Sequence, residues 1–160
     1  SAWEAEANRA ADVGIRTVNA RTGLVMGADG GMLGILQHAY RIGLGAQLGD
    51  GTNWMATIAS DDYVRALLYL LLHAEISGPV NMTSPDPVRN KEWNKSLAEH
   101  FNRPAFIRAP EFMLRLALQD FADEAVLASQ RVIPQKLTDH GFWFLAPTVP
   151  EIFNHEIPQA

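Results

Sequence analysis

The first 23 residues constrain this chain more than any later segment. Ser1 to Ala11 (Ser-Ala-Trp-Glu-Ala-Glu-Ala-Asn-Arg-Ala-Ala) is made largely of good helix formers, and Gly14 ends the run. Ile15 to Gly23 then reads as a buried strand running into a glycine turn. A helix feeding a strand, with nothing upstream to pair that strand, is half of an α/β layer structure. The expectation is a chain that shares its machinery with another stretch of polypeptide.

Further along, Gly27 to Gly31 is a loop, and Met32 to Ile42 has the apolar spacing of a short helix weakened by Gly34. A second glycine-rich connection, Gly43 to Gly51, leads to a strand-like piece, Trp54 to Ile58. Ser60 or Asp61 suits an N-cap for a helix over Asp62 to His73, with Val64, Leu67, Leu68, Leu71 and Leu72 as its apolar face. Val80 to Thr83 reads as a strand and Ser84-Pro85-Asp86-Pro87 as a turn cluster and linker. Lys91 to Phe101 is a helix with Asn90 as cap and Trp93, Leu97 and Phe101 on one side. Pro110 opens a helical stretch, and Asp120 to Ser129 continues as helix. Gln130 to His140 begins strand-like and turns helical after Pro134; Gly141 to Phe144 reads as a short aromatic strand. Thr148-Val149-Pro150-Glu151 has the capping-box pattern of a last helix. The fold class is therefore α/β over residues 1–84, with a mainly helical part over 85–160.

The chemistry is bounded by what is missing. A net charge of −5 over 160 residues gives no general basic footprint for nucleic acid and disfavours anionic membrane surfaces. The longest apolar stretch, Ala66 to Leu72, falls far short of the roughly 20 residues that span a bilayer. Cysteine is absent, which removes disulfides, thiolate nucleophiles and Cys-based metal sites and fits a cytoplasmic location. The five histidines (38, 73, 100, 140, 155) have no metal-ligand spacing, so no metal site is expected.

Several pieces fall in one order: Trp3-Glu4-x-Glu6-Ala7, Arg21-Thr22-Gly23-Leu24-Val25-Met26-Gly27, Gly49-Asp50-Gly51, Asp61-Asp62-x-Val64-Arg65-Ala66-Leu67 and Gly78-Pro79-Val80-Asn81-Met82-Thr83. This series resembles the C-terminal half of the extended short-chain dehydrogenase/reductase superfamily, the NAD-dependent epimerase/dehydratase group. The opening helix, the Arg-Thr-Gly turn and Gln130-Arg131-Val132-Ile133-Pro134 are similar to one atypical branch. That branch is nucleoside-diphosphate-sugar epimerase-like and carries a helical C-terminal domain of unknown function. The resemblance implies the C-terminal portion of a Rossmann-type sheet, with the glycine-rich phosphate fingerprint upstream of Ser1. It implies NADP or NAD as cofactor, and the N-terminal half of the same protein and a small-molecule substrate as partners.

The resemblance also places the turn Arg21, Thr22, Gly23, Leu24, Val25 beside the nicotinamide. Typical relatives use a Tyr-x-x-x-Lys pair whose Lys would fall near Trp3 or Glu4, where there is none, so the catalytic acid–base group is unknown. Leu24 stands where relatives often have a substrate-contacting Asn, Met55 where they have a diphosphate-gripping Arg, and Ala59 where they tend to have His. These departures argue against a nucleotide-sugar substrate. From the residues themselves, Trp54 and Met55 are candidates for the wall of an apolar substrate pocket, or for core packing. Asp61-Asp62 reads as helix capping rather than a shared-proton pair. Gly23 reads as either a site turn or a strand exit needing positive φ. Two functions follow: part of an NAD(P)-dependent oxidoreductase or epimerase-like protein, inactive as this chain alone, or a non-catalytic dinucleotide-binding or interaction module of the same fold.

Overall fold

The computed structural model describes residues 2–104, 106–109 and 129–158. Helix α1 (Ala2–Asn8) and a 3-10 turn (Ala11–Val13) lead to strands β1 (Val18–Thr22) and β2 (Leu24–Met26). Then come α2 (Gly31–Arg41), β3 (Ala46–Leu48), β4 (Trp54–Met55), β5 (Thr57–Ala59) and α3 (Ser60–Leu72). They are followed by β6 (Gly78–Met82), β7 (Val88–Arg89), α4 (Asn90–His100) and β8 (Ile107–Ala109). Two short helices, α5 (Gln135–Asp139) and α6 (Val149–Glu156), complete the described chain. The helical stretches read over Pro110 to Leu118 and Asp120 to Ser129 lie outside the described residues, except for Ser129 itself.

Parallel pairing dominates. β1 runs beside β6, with Val18 opposite Gly78 and Thr22 opposite Met82. β2 runs parallel to β5, and β3 to β8; β4 and β7 are antiparallel. The α/β layering expected from the opening residues is what forms. β1 and β2 are one extended run that changes partner at Gly23. The Gly23 N–H donates to Met82 O at 3.1 Å, and the next N–H, on Leu24, donates to Ala56 O at 2.7 Å. Successive N–H groups of an extended chain point to opposite edges, so the run changes edge as well as partner.

This exchange explains Gly23 in a way that differs from the sequence reading. Its φ is not in the left-handed region, so no turn conformation demands glycine there. A Cβ would instead lie 2.4 Å from Ala56 O and 2.9 Å from Thr83 Cγ2. Glycine is required because the backbone of the incoming strand passes too close for any side chain.

Other expectations need correcting at the level of single elements. The piece from Trp54 to Ile58 is two strands serving two different sheets, split at Ala56. Residues 130–134 and 141–144 are not strands. Helix α3 begins at Ser60, and its face is rotated from the expected one. Ala66 and Leu70 are buried, whereas Val64, Leu68, Leu71 and Leu72 are 53–82% exposed. α4 starts at Asn90 itself, so Asn90 is not its cap; the Arg89 N–H takes that role by donating to Glu92 Oε2. Buried Asn90 bridges elsewhere, its Oδ1 accepting from Leu48 N–H at 2.9 Å. The box expected at α6 forms, with Thr148 N–H and Oγ1 both donating to Glu151 Oε2.

Two apolar cores result. One joins Met26 and Leu33 to Trp93, Leu97, Ile152 and Phe153. The other joins Ile58, Leu70, Val80 and Met82 to Phe142 and Phe144. Each draws on both sides of Ser84. The aromatic pair from the late segment thus packs onto the α/β layer, and each such side chain stabilises by about 1.5–3 kcal/mol when fully buried. The segment is fastened by Asp62, wholly buried, which accepts from Leu145 and Ala146 N–H at 2.9 Å and pairs with Arg65 at 2.7 Å.

Two substitutions test this frame. Gly23→Ala is expected to destabilise the chain by about 2 kcal/mol, because the clash is with backbone. Asp62→Ala is expected to cost about 3 kcal/mol, leaving the buried Ala146 N–H and the half-buried Leu145 N–H without their acceptor and Arg65 without its carboxylate. Urea unfolding measures both; a loss below half of either figure contradicts the corresponding contact.

Candidate functional site

Helix α1 lies antiparallel to β1, because rising numbers in one meet falling numbers in the other. Asn19 Nδ2 donates to Asn8 Oδ1 at 2.8 Å, and Arg21 reaches back to Glu4. The start of α1 therefore sits over the carboxyl end of β1, the end at which ligand crevices form in parallel sheets. There Arg21 Nε and Nη2 donate to the two Glu4 carboxylate oxygens at 2.7 and 3.0 Å. That bidentate fork holds the Glu4 carboxyl down at about 2 and raises Arg21 further. The next side chain, Thr22, has its Oγ1 3.3 Å from the Tyr63 hydroxyl at the start of α3.

Of the five residues read as a cofactor-facing turn, Arg21 and Thr22 are exposed, and Gly23, Leu24 and Val25 are half-buried. Leu24 packs against the first core and Val25 against the second. A carboxylate–guanidinium pair and a hydroxyl pair thus border the strand end, and both can meet the hydroxyl and amide groups of a ligand.

Beyond β2, Gly27 to Gly31, Val25, Ser60 and Glu156 line a cavity of about 350 Å³. It too lies at the carboxyl ends of parallel strands. Its polar wall is built across the chain, since Glu156 Oε1 accepts from Ser60 N–H at 2.7 Å and from Ser60 Oγ at 2.8 Å. A larger cavity of about 510 Å³ is bounded by Asn8, Arg16, Thr17, Ser77 and Gly78 at the opposite, amino ends of β1 and β6. Position outweighs size here, and the smaller cavity is the better ligand site.

The two residues read as a substrate wall part company. Met55 is 2% exposed in the first core, and its sulfur receives Asn90 Nδ2 at 3.6 Å. Trp54 is half-buried, with the Arg89 guanidinium 4.0 Å and that of Arg131 5.5 Å from its ring centroid.

The acidic pair at α3 does not cap its own helix. Asp62 serves the late segment, while Asp61 is exposed and meets His155 Nε2 at 2.9 Å. The helix start is closed instead by Glu156. Among the described residues no cluster of three His, Asp or Glu side chains is placed to hold a metal, and no helix is long and apolar enough to cross a membrane. Sequence reasoning did not single out Glu4, Tyr63, Arg89, Arg131 or Glu156. Glu4 and Arg131 sat in quoted motifs and were open to discovery; Glu156 lies 96 residues from Ser60 and gave no local signal.

Comparisons with known proteins bear on this arrangement. Residues 109–156 match the Domain of unknown function (DUF1731). An epimerase family protein of Mycobacterium leprae is 39% identical over 153 residues, covering 96% of this chain and 50% of that protein. The Bacillus subtilis epimerase family protein YfhF is 35% identical over 89% of this chain and 46% of its own length. The chain spans about half the length of the curated relatives it matches. Among solved structures, the human epimerase family protein crystallised with NADPH superposes with a TM-score of 0.85 at 25% identity, over 91% of this chain and 49% of that one. A nucleoside-diphosphate sugar epimerase of Corynebacterium glutamicum gives 0.76 at 32% identity, over 97% of this chain and 29% of its own. The resemblance read from the motifs holds, including the terminal domain of unknown function, and the sheet is of Rossmann type.

The Glu4–Arg21 clasp has a pH signature. A carboxyl lowered from 4.5 to about 2 contributes stability that is fully present above pH 4.5 and lost as pH falls through about 2. Carbon NMR of the Glu4 carboxyl is expected to titrate near 2 in the native chain and to return toward 4.5 in Arg21→Met. A midpoint unmoved by Arg21→Met removes the guanidinium as the cause.

Proposed function

We propose that this chain, similar to one half of epimerase family proteins of the extended short-chain dehydrogenase/reductase superfamily, supplies the nicotinamide-facing turn and the substrate-side wall of an NAD(P)-dependent oxidoreductase or epimerase-like protein. The observation that carries the reading is the turn Arg21–Val25 at the carboxyl ends of parallel β1 and β2. The hydroxyl pair of Thr22 and Tyr63 and the ionised Glu4 border it. These groups fit a ribose hydroxyl or a carboxamide. They do not fit a pyrophosphate, and the chain has no Gly-x-Gly-x-x-Gly segment to receive one. The phosphate-gripping wall therefore belongs to the N-terminal half of the same protein, which is also the partner for the open edge of β1. When bound, the nicotinamide would exchange hydride with a carbonyl or alcohol carbon. The residues of this chain orient the ring and the small-molecule substrate and keep water from between them, in a cytoplasmic protein.

A second reading is a dinucleotide-binding module that does no chemistry. It is favoured by Met55 lying in the core, away from any substrate, and by half-buried Leu24 packing against the same core. Calorimetry with NADPH separates binding from its absence. The chain alone is expected to bind weaker than about 100 µM, and micromolar binding is expected once a relative's N-terminal half is supplied. Micromolar binding by the chain alone overturns the shared-site reading. Turnover by the assembled halves, tested on carbonyl substrates, then decides between enzyme and module.

A further inference from the structure

Helix α3 has an apolar stripe that the described residues leave bare. Val64, Leu68, Leu71 and Leu72 are exposed, and they stand roughly half a turn from buried Asp62, Ala66 and Leu70. Arg65, the cation of this stretch, turns the other way, to Asp62 and the rings of Phe142 and Trp143. Four neighbouring apolar side chains with no charge among them form a patch of the kind that marks a contact surface.

The sheet fixes where the stripe faces. Side chains alternate along β1. Asn19 and Arg21 meet α1 on one face, whereas Val18 and Thr22 meet the α3 side, Val18 in the second core and Thr22 at Tyr63. The late segment keeps to the β6 side of this layer. Ile133 O accepts from Asn81 Nδ2 at 3.0 Å, and Ser77 O accepts from Lys136 Nζ at 2.6 Å. The same segment clasps one flank of α3, where the Tyr69 hydroxyl donates to His140 O at 2.6 Å and Asp62 accepts from Leu145 and Ala146. The opposite flank carries the stripe. It therefore lies toward the edge of β1 that has no strand beside it among the described residues. Arg16, at the foot of β1, ties the two together by donating to Leu70 O and Ile76 O at 3.0 and 2.9 Å.

A bare edge and a bare helix flank on one side call for a strand and a helix together. A strand laid parallel along β1 reaches its neighbour through a crossover helix that must rest on a face of the sheet. The chain spans about half the length of its curated relatives, so those proteins carry about as much chain again, enough for several such units. A second copy suits the edge less well. Joined about a two-fold axis normal to the sheet, it would run antiparallel to β1, which pairs in parallel with β6.

We propose that Val64, Leu68, Leu71 and Leu72 are the seat of a helix of the N-terminal half of the protein, laid beside α3 as a strand of that half joins β1. This rests on the reading that the N-terminal half completes the site, and adds the surface by which the two halves hold together.

The test produces the chain together with the N-terminal half of the Mycobacterium leprae relative and follows dissociation of the purified pair on dilution by sedimentation velocity. Leu68→Gln combined with Leu71→Gln keeps helix-forming residues at exposed positions. The double variant is expected to leave the Tm of the 160-residue chain within about 2 °C and to weaken the pair at least about tenfold. Trp143→Gln, an exposed apolar position on the clasped flank, is expected to change pairing less than about twofold. Pairing undiminished by the double variant overturns the proposal. So does a lower Tm of the variant chain alone, which means that the same chain buries the stripe, or a self-dimer of the chain that the variant dissolves. NADPH affinity of the variant pair, held at concentrations that keep it assembled, is expected to be unchanged. Loss of the α3 contact thus leaves the shared-site reading standing, whereas a wild-type chain that does not pair overturns both.

Discussion

One constraint organises the molecule: a single extended run, Val18 to Met26, serves two different parallel partners and changes between them at Gly23. An extended backbone has only two edges, and here each is used by a different half of the run. The exchange fixes where β5 must arrive, and α3 starts where β5 ends. Ser84 N–H closes the junction from the third side by donating to Thr57 O at 2.6 Å. Three strand ends thus meet around one residue with no side chain. The candidate turn, the cavity beyond β2 and the mouth of α3 all take their positions from that meeting.

The late part of the chain acts as a fastening rather than an appendage. Phe142 and Phe144 fill the second core beside Leu70, and Asp62 receives the two backbone N–H groups that follow. A buried carboxylate is costly unless every oxygen is occupied; here both accept, and Arg65 adds a countercharge. The same logic holds at the strand end, where Glu4 and Arg21 use a bidentate fork instead of burial. Two acid groups, one dry and one wet, make these fastenings by different means, Asp62 tying α3 to the segment before α6 and Glu4 tying α1 to β1.

Much of the architecture was legible in the residues because local rules acted alone. The opening helix with its glycine, the loop after β2 and the Thr148–Glu151 box are short-range signals and appear as read. The strand read as buried over Ile15 to Gly23, by contrast, starts only at Val18 and is half-buried to exposed, and the connection Gly43 to Gly51 holds β3. Misreadings arose where a distant partner overrode a local preference. Ser60 and Asp61 have the right chemistry to cap α3, yet a carboxylate from α6 does so, which releases Asp61 for His155. The apolar face of α3 could not be phased because leucine occupies nearly every side of it; only the contact with Phe142 and Phe144 decides which leucines are inside. Gly23 looked like a turn glycine because nothing in its neighbours announces that Ala56 will pass over it. At the candidate site, Arg21 and Trp54 were singled out by motif and by residue type, whereas the cations around Trp54 emerge only when β7 and the segment before α5 converge.

The carboxylate that closes the first turn of α3 belongs to a residue 96 positions later in the chain. On a ribosome adding 5–20 residues per second, that closing group trails the helix it completes by about 5–20 seconds. Until it emerges, the nascent α3 offers an open, electropositive end to whatever anion the surroundings supply. Arrival of Glu156 is what shuts it, so this junction records whether synthesis has passed that residue.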